Sequence, residues 1–259
     1  MQRSSVESSS GDRQERVSGL SEAYDAWHQN IFQHGESPDE SSPWYQLVLE
    51  YLGPVNGKKV LEVASGRGGF STVLASRGAT VFGADFSAAA IRIARQKVRT
   101  DDGHSARISF SQADAHHLPF ADAVFDFVIS CETIEHLTYP IAALREMARV
   151  CKPGGLLYLT TPNYLNLMGL YLVYDALLKK DRHSPATQPI DHSWLFPTVR
   201  RIVKQSGWKI IRSDGTVHQV PFPGRNPVRI HFLERDALLR RLLSPTAFHY
   251  FLLAAKRGG

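Results

Sequence analysis

The stretch Val60-Leu61-Glu62-Val63-Ala64-Ser65-Gly66-Arg67-Gly68-Gly69-Phe70 decides the fold that this sequence predicts. Its first residues form a short apolar run, which is typical of a buried strand, and a glycine-rich turn follows at once. Gly66 and Gly68 carry no side chains, so the backbone of the turn can approach a ligand closely. Such a strand and turn are typical of nucleotide-binding α/β folds, although the turn alone does not distinguish among them.

Strand and helix patterns alternate on the C-terminal side of this stretch. The predicted helices cover residues 71–77, residues 88–99 and a segment that begins at Pro140 and ends before Lys152. The alternation predicts an α/β fold with a mostly parallel sheet and helices on both faces. A further helix is expected at 196–206, and the predicted strands cover residues 80–85, 108–112, 124–130, 156–160, 208–213 and 248–255.

The 259-residue chain is long enough for one α/β domain with a buried core, and its hydrophobic fraction of 43% is ordinary. Residues 1–19 are rich in serine, glycine and charge, and they predict a disordered lead without a targeting signal. The two cysteines do not make a disulfide framework, which favours a cytoplasmic location. The rest, residues 20–259, is interpreted as one domain with N-terminal helices (20–57), a cofactor-binding core (58–162) and two insertions that cap the substrate (163–192 and 214–244).

Positive charge is concentrated in the C-terminal part of the chain. Residues 164–259 contain 15 Lys and Arg but only 6 Asp and Glu, whereas the whole chain has a net charge of +5. A basic region of this kind is compatible with nucleic acid, with an anionic lipid surface or with an acidic substrate. It is equally compatible with an ordinary solvated surface, since no array of aromatic and basic residues that would stack bases is present.

Three carboxylates follow the predicted strands in an order that favours an adenosine site. Glu62 lies inside the first strand and suits a cationic ligand group. Asp85 ends the second strand and can accept hydrogen bonds from ribose hydroxyls. Asp114 follows the third strand, where it can accept a hydrogen bond from the adenine amine. A dinucleotide-binding turn would need a third glycine where this chain has Ser71. The set therefore favours an adenosine ligand that is not a dinucleotide such as NAD.

These residues resemble the class I S-adenosylmethionine-dependent methyltransferases. The resemblance rests on residues 60–68, 85–87, 114–115, 118–120, 125–130 and 144–155. It implies a Rossmann-like, doubly wound, seven-stranded sheet with an antiparallel last strand, and N-terminal helices that close over the cofactor. The family usually has Gly-Cys where this chain has Ala64-Ser65. The implied cofactor-binding residues are Tyr24, Trp27, Glu62, Ala64, Ser65, Gly66, Gly68, Asp85, Phe86, Ser87, Ala113, Asp114, Ala115, Cys131 and Glu132.

The residues after the fourth predicted strand are expected to carry the chemistry. If they form a helical turn, Glu132, Glu135 and His136 share one face because their spacing is i, i+3 and i+4. Such a set suits Mg²⁺ or Mn²⁺. The same pattern resembles the metal-dependent O-methyltransferases of ubiquinone biosynthesis and of small-RNA 3′ ends. In those enzymes a later histidine completes the metal site, and the matching residue here is His192. The pattern also occurs in methyltransferases without a metal. In that version His136 alone is the general base, and Glu135 lies beside it.

The first insertion predicts the nature of the acceptor. Its apolar and aromatic residues are interpreted either as a lid or as core packing, and as a lid they favour O-methylation of a small apolar or aromatic molecule. They are Tyr164, Leu165, Leu167, Met168, Leu170, Tyr171 and Tyr174.

Four alternatives stay open from the sequence. The first is an RNA 2′-O-methyltransferase, and the second is a lipid or sugar-lipid methyltransferase whose basic helix at 231–243 rests on a membrane surface. The third is a methyltransferase-like protein that has lost catalysis and serves as a binding partner, and the fourth is a nucleotide-dependent oxidoreductase.

Overall fold

The structure is a computed structural model of the 259-residue chain, and it describes residues 19–30, 41–99, 103–167, 169, 188–222 and 225–258. The predicted disordered lead, residues 1–19, lies outside these ranges except for residue 19, which is helical. Most of the predicted apolar lid, namely residue 168 and residues 170–187, also lies outside them.

Seven strands form one sheet, namely β1 Lys59–Val63, β2 Thr80–Asp85, β3 Ile108–Gln112, β4 Phe125–Cys131, β5 Cys151–Pro162, β6 Trp208–Thr216 and β9 His249–Lys256. Their order in the sheet is β3-β2-β1-β4-β5-β9-β6. Strands β1 to β5 pair in parallel, whereas β9 runs antiparallel to both β5 and β6. This confirms the predicted doubly wound sheet with an antiparallel last strand.

Helices cover both faces of the sheet, as predicted, because alternate side chains of a strand point to opposite faces. Leu61 of β1 packs in one core with Leu144 and Met147, and its neighbour Val60 packs in the other with Val48. The helices are α1 (residues 19–30), α2 Pro43–Tyr51, α3 Gly69–Ser76, α4 Ala88–Arg99, α5 Pro140–Val150 and α6 Phe196–Gln205.

Two strands are longer than the sequence predicts. Strand β5 begins at Cys151, which pairs with Phe125 on the far side of a register shift. Residues 152–155, which are predicted to separate the helix from the strand, therefore belong to the strand itself. Strand β6 continues to Thr216 because its pairing with β9 persists up to His249. Side-chain patterns do not reveal either extension, because both depend on backbone pairing with a distant strand.

The second insertion is more regular than predicted. A hairpin of β7 Gln219–Phe222 and β8 Arg225–Arg229 is followed by two short helices, α7 Phe232–Arg235 and α8 Ala237–Leu242. The prediction of one helix over 231–243 is wrong, because the Asp236 side chain accepts a hydrogen bond from Leu239 N at 2.7 Å and starts a new helix.

Candidate active site

One large cavity lies at the carboxyl ends of the parallel strands, where ligands bind in open α/β sheets. Its volume is about 1210 Å³. Pockets for one small ligand usually measure about 300–1,000 Å³, so this cavity has room for a cofactor and an acceptor side by side. Its described wall comes from α1 and α2, from the turns after β1 to β4, and from Gln188 and His249.

The turn after β1 uses left-handed backbone at three positions. Ala64, Gly66 and Gly68 have φ values of 58°, 52° and 74°. A Cβ atom on Gly68 would lie 2.5 Å from the Phe110 ring, so glycine is required there by packing against the sheet. Ala64, Ser65 and Gly66 line the cavity, but Gly68 is not part of its wall. Of the two glycines expected to approach a ligand, only Gly66 is therefore placed to do so.

Glu62 is not part of the cavity wall, which differs from the prediction that it faces a ligand. Its side chain is buried and accepts a hydrogen bond from the Ser71 hydroxyl at the start of α3. Burial raises the pKa of Glu62 from 4.5 to about 8, although the bond from Ser71 acts in the opposite direction. The serine that replaces a third glycine in the turn thus serves as the partner of this buried carboxyl group.

Asp85 at the end of β2 holds the turn and also lines the cavity. Its carboxylate accepts hydrogen bonds from Gly66 N at 2.8 Å and from Ser87 N at 2.9 Å. Burial raises the pKa of Asp85, while the neighbouring His28, whose Nε2 lies 4.0 Å from Oδ1, opposes that rise. Phe86, the next residue, is in the wall and meets the Tyr24 ring edge-on at 6.2 Å.

Helix α1 is docked over this part of the cavity. Asp25 Oδ1 accepts hydrogen bonds from the Ser87 hydroxyl at 2.5 Å and from Ala89 N at 3.0 Å, so a side chain of α1 caps α4. Ser87 Oγ in turn accepts from Ala90 N at 3.0 Å, which confirms the predicted cap, but Ser87 is buried behind the wall. Tyr24 and Trp27 lie in the wall as the prediction requires, and Tyr24 donates a hydrogen bond to His136 O at 3.2 Å.

Asp114 lies in the wall after β3, between Ala113 and Ala115. Burial would raise its pKa, but hydrogen bonds from the side chain and the backbone N of His116 lower it below its ordinary value. Because His116 Nε2 accepts a hydrogen bond from Tyr139 N at 3.2 Å, Nδ1 carries the proton that is shared with Asp114. The carboxylate is therefore ionised and fixed in direction.

The segment from Glu132 to His136 is not the helical turn that the spacing suggests. Glu132 has a φ of 48°, and only Ile134–His136 forms a single 3₁₀ turn. Glu132 Oε2 lies 2.9 Å from Nδ1 of His249, whereas Glu135 is buried and its Oε2 accepts from Thr161 Oγ1 at 2.9 Å. Burial raises the pKa of Glu135 well above its ordinary value, and the Glu132 charge adds to this.

These positions do not assemble the predicted metal site. Within the part of the chain that the structure describes, no group of three or more His, Cys, Asp or Glu side chains is placed to hold a metal ion. His192, the expected fourth ligand, is exposed and outside the cavity wall, with its ring 5.5 Å from Trp194. Its backbone N donates a 2.8 Å hydrogen bond to Glu135 O, and the nearby imidazole of His192 helps to lower the pKa of His136.

His136 lies in the wall with one tautomer favoured. Its Nδ1 donates a hydrogen bond to Ile190 O at 2.6 Å, so in the neutral ring Nε2 carries the free lone pair. Nε2 lies 3.6 Å from Glu135 Oε1. Burial lowers the pKa of His136 below its ordinary value of 6.5, while the Ile190 bond opposes that fall. The imidazole is therefore neutral, and able to accept a proton, at neutral pH.

Several wall residues were missed by the sequence interpretation. His28 follows Tyr24 and Trp27 at helical spacing, so the face that carries those two residues was the available signal. His249 was given no role, although it reaches the cavity on β9 and contacts Glu132. No local pattern marks it, because an antiparallel strand near the C-terminus brings it there. The remaining ones include Trp44, Tyr45, His116, Leu137, Tyr139 and Gln188.

The two insertions differ in their relation to the cavity. Gln188 of the first lies in the wall, whereas no described residue of 214–244 does. The second insertion packs elsewhere: Arg240 binds Glu50 of α2 at 2.6 Å and Asp214 of β6 at 2.8 Å. The prediction that this segment caps the acceptor is therefore not supported by the placement of its described residues.

No helix among the described residues is both long and apolar enough to pass through a lipid bilayer.

Comparison with known proteins gives consistent results. Residues 61–159 match the family described as a methyltransferase domain. The ubiquinone/menaquinone biosynthesis C-methyltransferase UbiE of Shewanella frigidimarina is 31% identical over 194 residues, which cover 69% of this chain and 74% of that protein. The demethylmenaquinone methyltransferase of Clavibacter sepedonicus is 38% identical over 112 residues, which are 43% of this chain and only 44% of that relative. The chain thus spans less than half the length of some curated relatives.

A solved structure shows the same fold. The S-adenosylmethionine dependent methyltransferase from Mesorhizobium loti superposes with a TM-score of 0.60 at 18% identity, covering 84% of this chain and 99% of that one. The sheet order, the strand-end residues around the cavity, the domain match and the Shewanella relative agree. The chain belongs to the class I S-adenosylmethionine-dependent methyltransferases.

Proposed function

We propose that this protein transfers a methyl group from S-adenosylmethionine to a small apolar or aromatic acceptor, at the oxygen of a hydroxyl group. One observation carries the proposal. The cavity wall that contains the strand-end residues Gly66, Asp85 and Asp114 also contains His136, a neutral histidine with a free Nε2. Cofactor and acceptor would then lie in one enclosed space, which is what methyl transfer requires.

The donor set at the cofactor end fits an adenosine ligand. The two contacts that Asp85 makes with Gly66 and Ser87 leave lone pairs on its carboxylate for ribose hydroxyls, and the ionised Asp114 can accept from an adenine amine. Phe86 offers an aromatic surface beside them. When bound, S-adenosylmethionine supplies an electrophilic methyl group on a positively charged sulfur, which is a good leaving group.

His136 supplies what an oxygen acceptor needs. Its Nε2 is the proton-accepting atom, and the bond from Nδ1 to Ile190 O holds the ring in place. A hydroxyl hydrogen-bonded to Nε2 loses its proton to the imidazole as its oxygen becomes the nucleophile. The same cavity wall also contains the apolar and aromatic residues Trp44, Leu137 and Tyr139, and this is the observation that favours a flat or apolar acceptor.

Methylation at carbon is the second candidate, and the name of one relative favours it. The Shewanella protein is a ubiquinone/menaquinone biosynthesis C-methyltransferase, and the Clavibacter protein is a demethylmenaquinone methyltransferase. The same base serves this reaction, because removal of a phenolic proton increases the electron density on the ring carbons. The two candidates therefore share His136 and differ in the attacking atom.

The nucleic-acid and membrane alternatives have less support. Arg229 is paired with Glu234, and Arg240 is paired with both Glu50 and Asp214, so these cations of the basic C-terminal part are engaged within the chain. We also favour the metal-free reaction, because Glu132 and Glu135 point to separate partners. The cytoplasmic location stays a prediction from the two cysteines, which are both free thiols in the structure.

Methyl transfer from deuterated S-adenosylmethionine to a panel of phenols, apolar alcohols and sugar lipids tests the proposal. We expect methylated products from phenols, with the O- or C-linkage identified by NMR, and full activity in excess chelator. Complete loss of activity with chelator would restore the metal mechanism. Failure to bind the cofactor would contradict the proposed function.

A further inference from the structure

A second polar corner of the cavity is formed by Glu132 and His249. They lie 117 positions apart in sequence, and Glu132 Oε2 is 2.9 Å from His249 Nδ1. Both side chains are part of the cavity wall, and the His249 ring lies 4.9 Å from that of Trp44. Neither residue is needed for the proton transfer assigned to His136.

The hydrogen bonding of this pair leaves one accepting atom toward a ligand. A carboxylate accepts, so Nδ1 of a neutral His249 ring carries the proton and Nε2 is left with a lone pair. Glu132 Oε1 is buried, so a ligand in the cavity cannot reach it. His249 Nε2 is therefore the atom of the pair that is placed to accept a hydrogen bond from a ligand.

The backbone of Glu132 also indicates that the corner is built for a ligand. Glu132 adopts left-handed backbone, with a φ of 48°, and its N donates hydrogen bonds to Thr160 O at 3.0 Å and to Thr160 Oγ1 at 3.2 Å. Non-glycine residues in that conformation are uncommon and concentrate at functional positions.

We infer that Glu132 and His249 bind a second hydrogen-bond donor of the acceptor, a hydroxyl or an amine, separate from the hydroxyl that gives its proton to His136. The pair is a specificity-determining site: His249 Nε2 accepts a hydrogen bond from the acceptor, and Glu132 holds the imidazole ring in the orientation that this requires. This inference rests on the proposed function, because it takes the cavity to hold an acceptor beside the cofactor.

Binding of three matched phenols tests the inference without turnover. The probes are para-ethylphenol, tyrosol and tyramine, which share a ring and differ only in whether the side chain ends in a methyl, a hydroxyl or an amine. Each is titrated by calorimetry into the full chain saturated with S-adenosylhomocysteine. We expect tyrosol or tyramine to bind about tenfold more tightly than para-ethylphenol, as one added hydrogen bond implies, and the stronger of the two identifies the donor.

Two variants and one control then locate the effect. His249→Phe keeps the aromatic contact with Trp44 and should bring the affinities for tyrosol and tyramine close to that for para-ethylphenol. His249→Gln, whose amide can both donate to Glu132 and accept from the ligand, should retain part of the preference. His192→Phe, which replaces an exposed histidine outside the wall, should keep all of it.

The outcomes separate this inference from the proposed function. If the wild-type protein binds the cofactor product but shows no preference among the three phenols, the inference is wrong and the proposed function stands. The same holds if His249→Phe and His192→Phe behave alike. If S-adenosylmethionine and its product do not bind at all, the proposed function fails first.

Discussion

The two ends of the cavity are built in different ways. At the cofactor end, Gly66, Asp85 and Asp114 lie at or just after the ends of three neighbouring parallel strands, which bring them together. At the acceptor end, His136 is fixed by Ile190, and Glu132 is paired with His249, across separations of 54 and 117 residues. The first end is thus set by local strand and turn motifs, whereas the second depends on the assembled sheet and on loops packed against it.

The largest effect is expected at the acceptor end. His136→Ala removes the proton-accepting Nε2, and kcat for an oxygen acceptor should fall about 10²- to 10⁴-fold, the usual contribution of a general base. Because burial lowers the pKa of His136, the acidic limb of kcat/KM in the wild-type enzyme should lie below pH 6.5. Steady-state rates across that pH range check both expectations.

His192→Ala is the matched control for that substitution. Its side chain is exposed and outside the cavity wall, so turnover should be unchanged. Equal losses in the two variants would mean that His136 acts only through the structure of the loop, or that both histidines serve a metal.

The next effect is expected at the cofactor end. Asp85→Ala removes the acceptor of hydrogen bonds from Gly66 N and Ser87 N as well as the proposed ribose contacts. Since each bond to a carboxylate contributes about 1.5–3 kcal/mol, the Kd for S-adenosylmethionine should rise about 100-fold or more. Calorimetry measures it, and Asp122→Ala, a surface carboxylate that is 76% exposed, is the control. An unchanged Kd in Asp85→Ala would remove Asp85 from the cofactor site.

A smaller effect is expected behind the cofactor end, at Glu62. Its pKa is about 8 in the folded chain against 4.5 ordinarily, so between these values the folded state keeps a proton that the unfolded state releases. The free energy of unfolding should therefore fall as pH rises, by up to about 1.4 kcal/mol per pH unit. Glu62→Gln cannot ionise and should show a flatter dependence in urea unfolding without cofactor. Parallel curves for variant and wild type would mean that Glu62 titrates normally.

The smallest effect is expected at the contact between helix α1 and the start of helix α4. Asp25→Ala removes the cap that α1 places on α4, and loss of a cap costs about 1 kcal/mol of stability. Thermal unfolding should show the loss, and the affinity for S-adenosylmethionine should fall several-fold because α1 forms part of the wall. A normal affinity together with the lower stability would show that α1 stabilises the fold without covering the cofactor.

The contrast between the two ends also explains what the sequence could predict. Strand positions, sheet type and the strand-end carboxylates follow from hydrophobic periodicity and turn residues, which act over a few positions. The sequence does not predict the burial of Glu62 under α3, because this burial depends on the contact with Ser71. The spacing of Glu132 and Glu135 suggests a helical turn that does not form, because Glu132 adopts left-handed backbone. The position of His249 in the cavity wall could not be predicted from the sequence, because it depends on the insertion of β9 between β5 and β6.

The most direct test of the central claim is a calorimetric titration of the full chain with S-adenosylmethionine. The cavity geometry predicts saturable binding of one molecule per chain, competition by S-adenosylhomocysteine and no competition by NAD. Absence of binding, or tight binding of NAD in its place, would contradict the assignment of the strand-end residues to this cofactor.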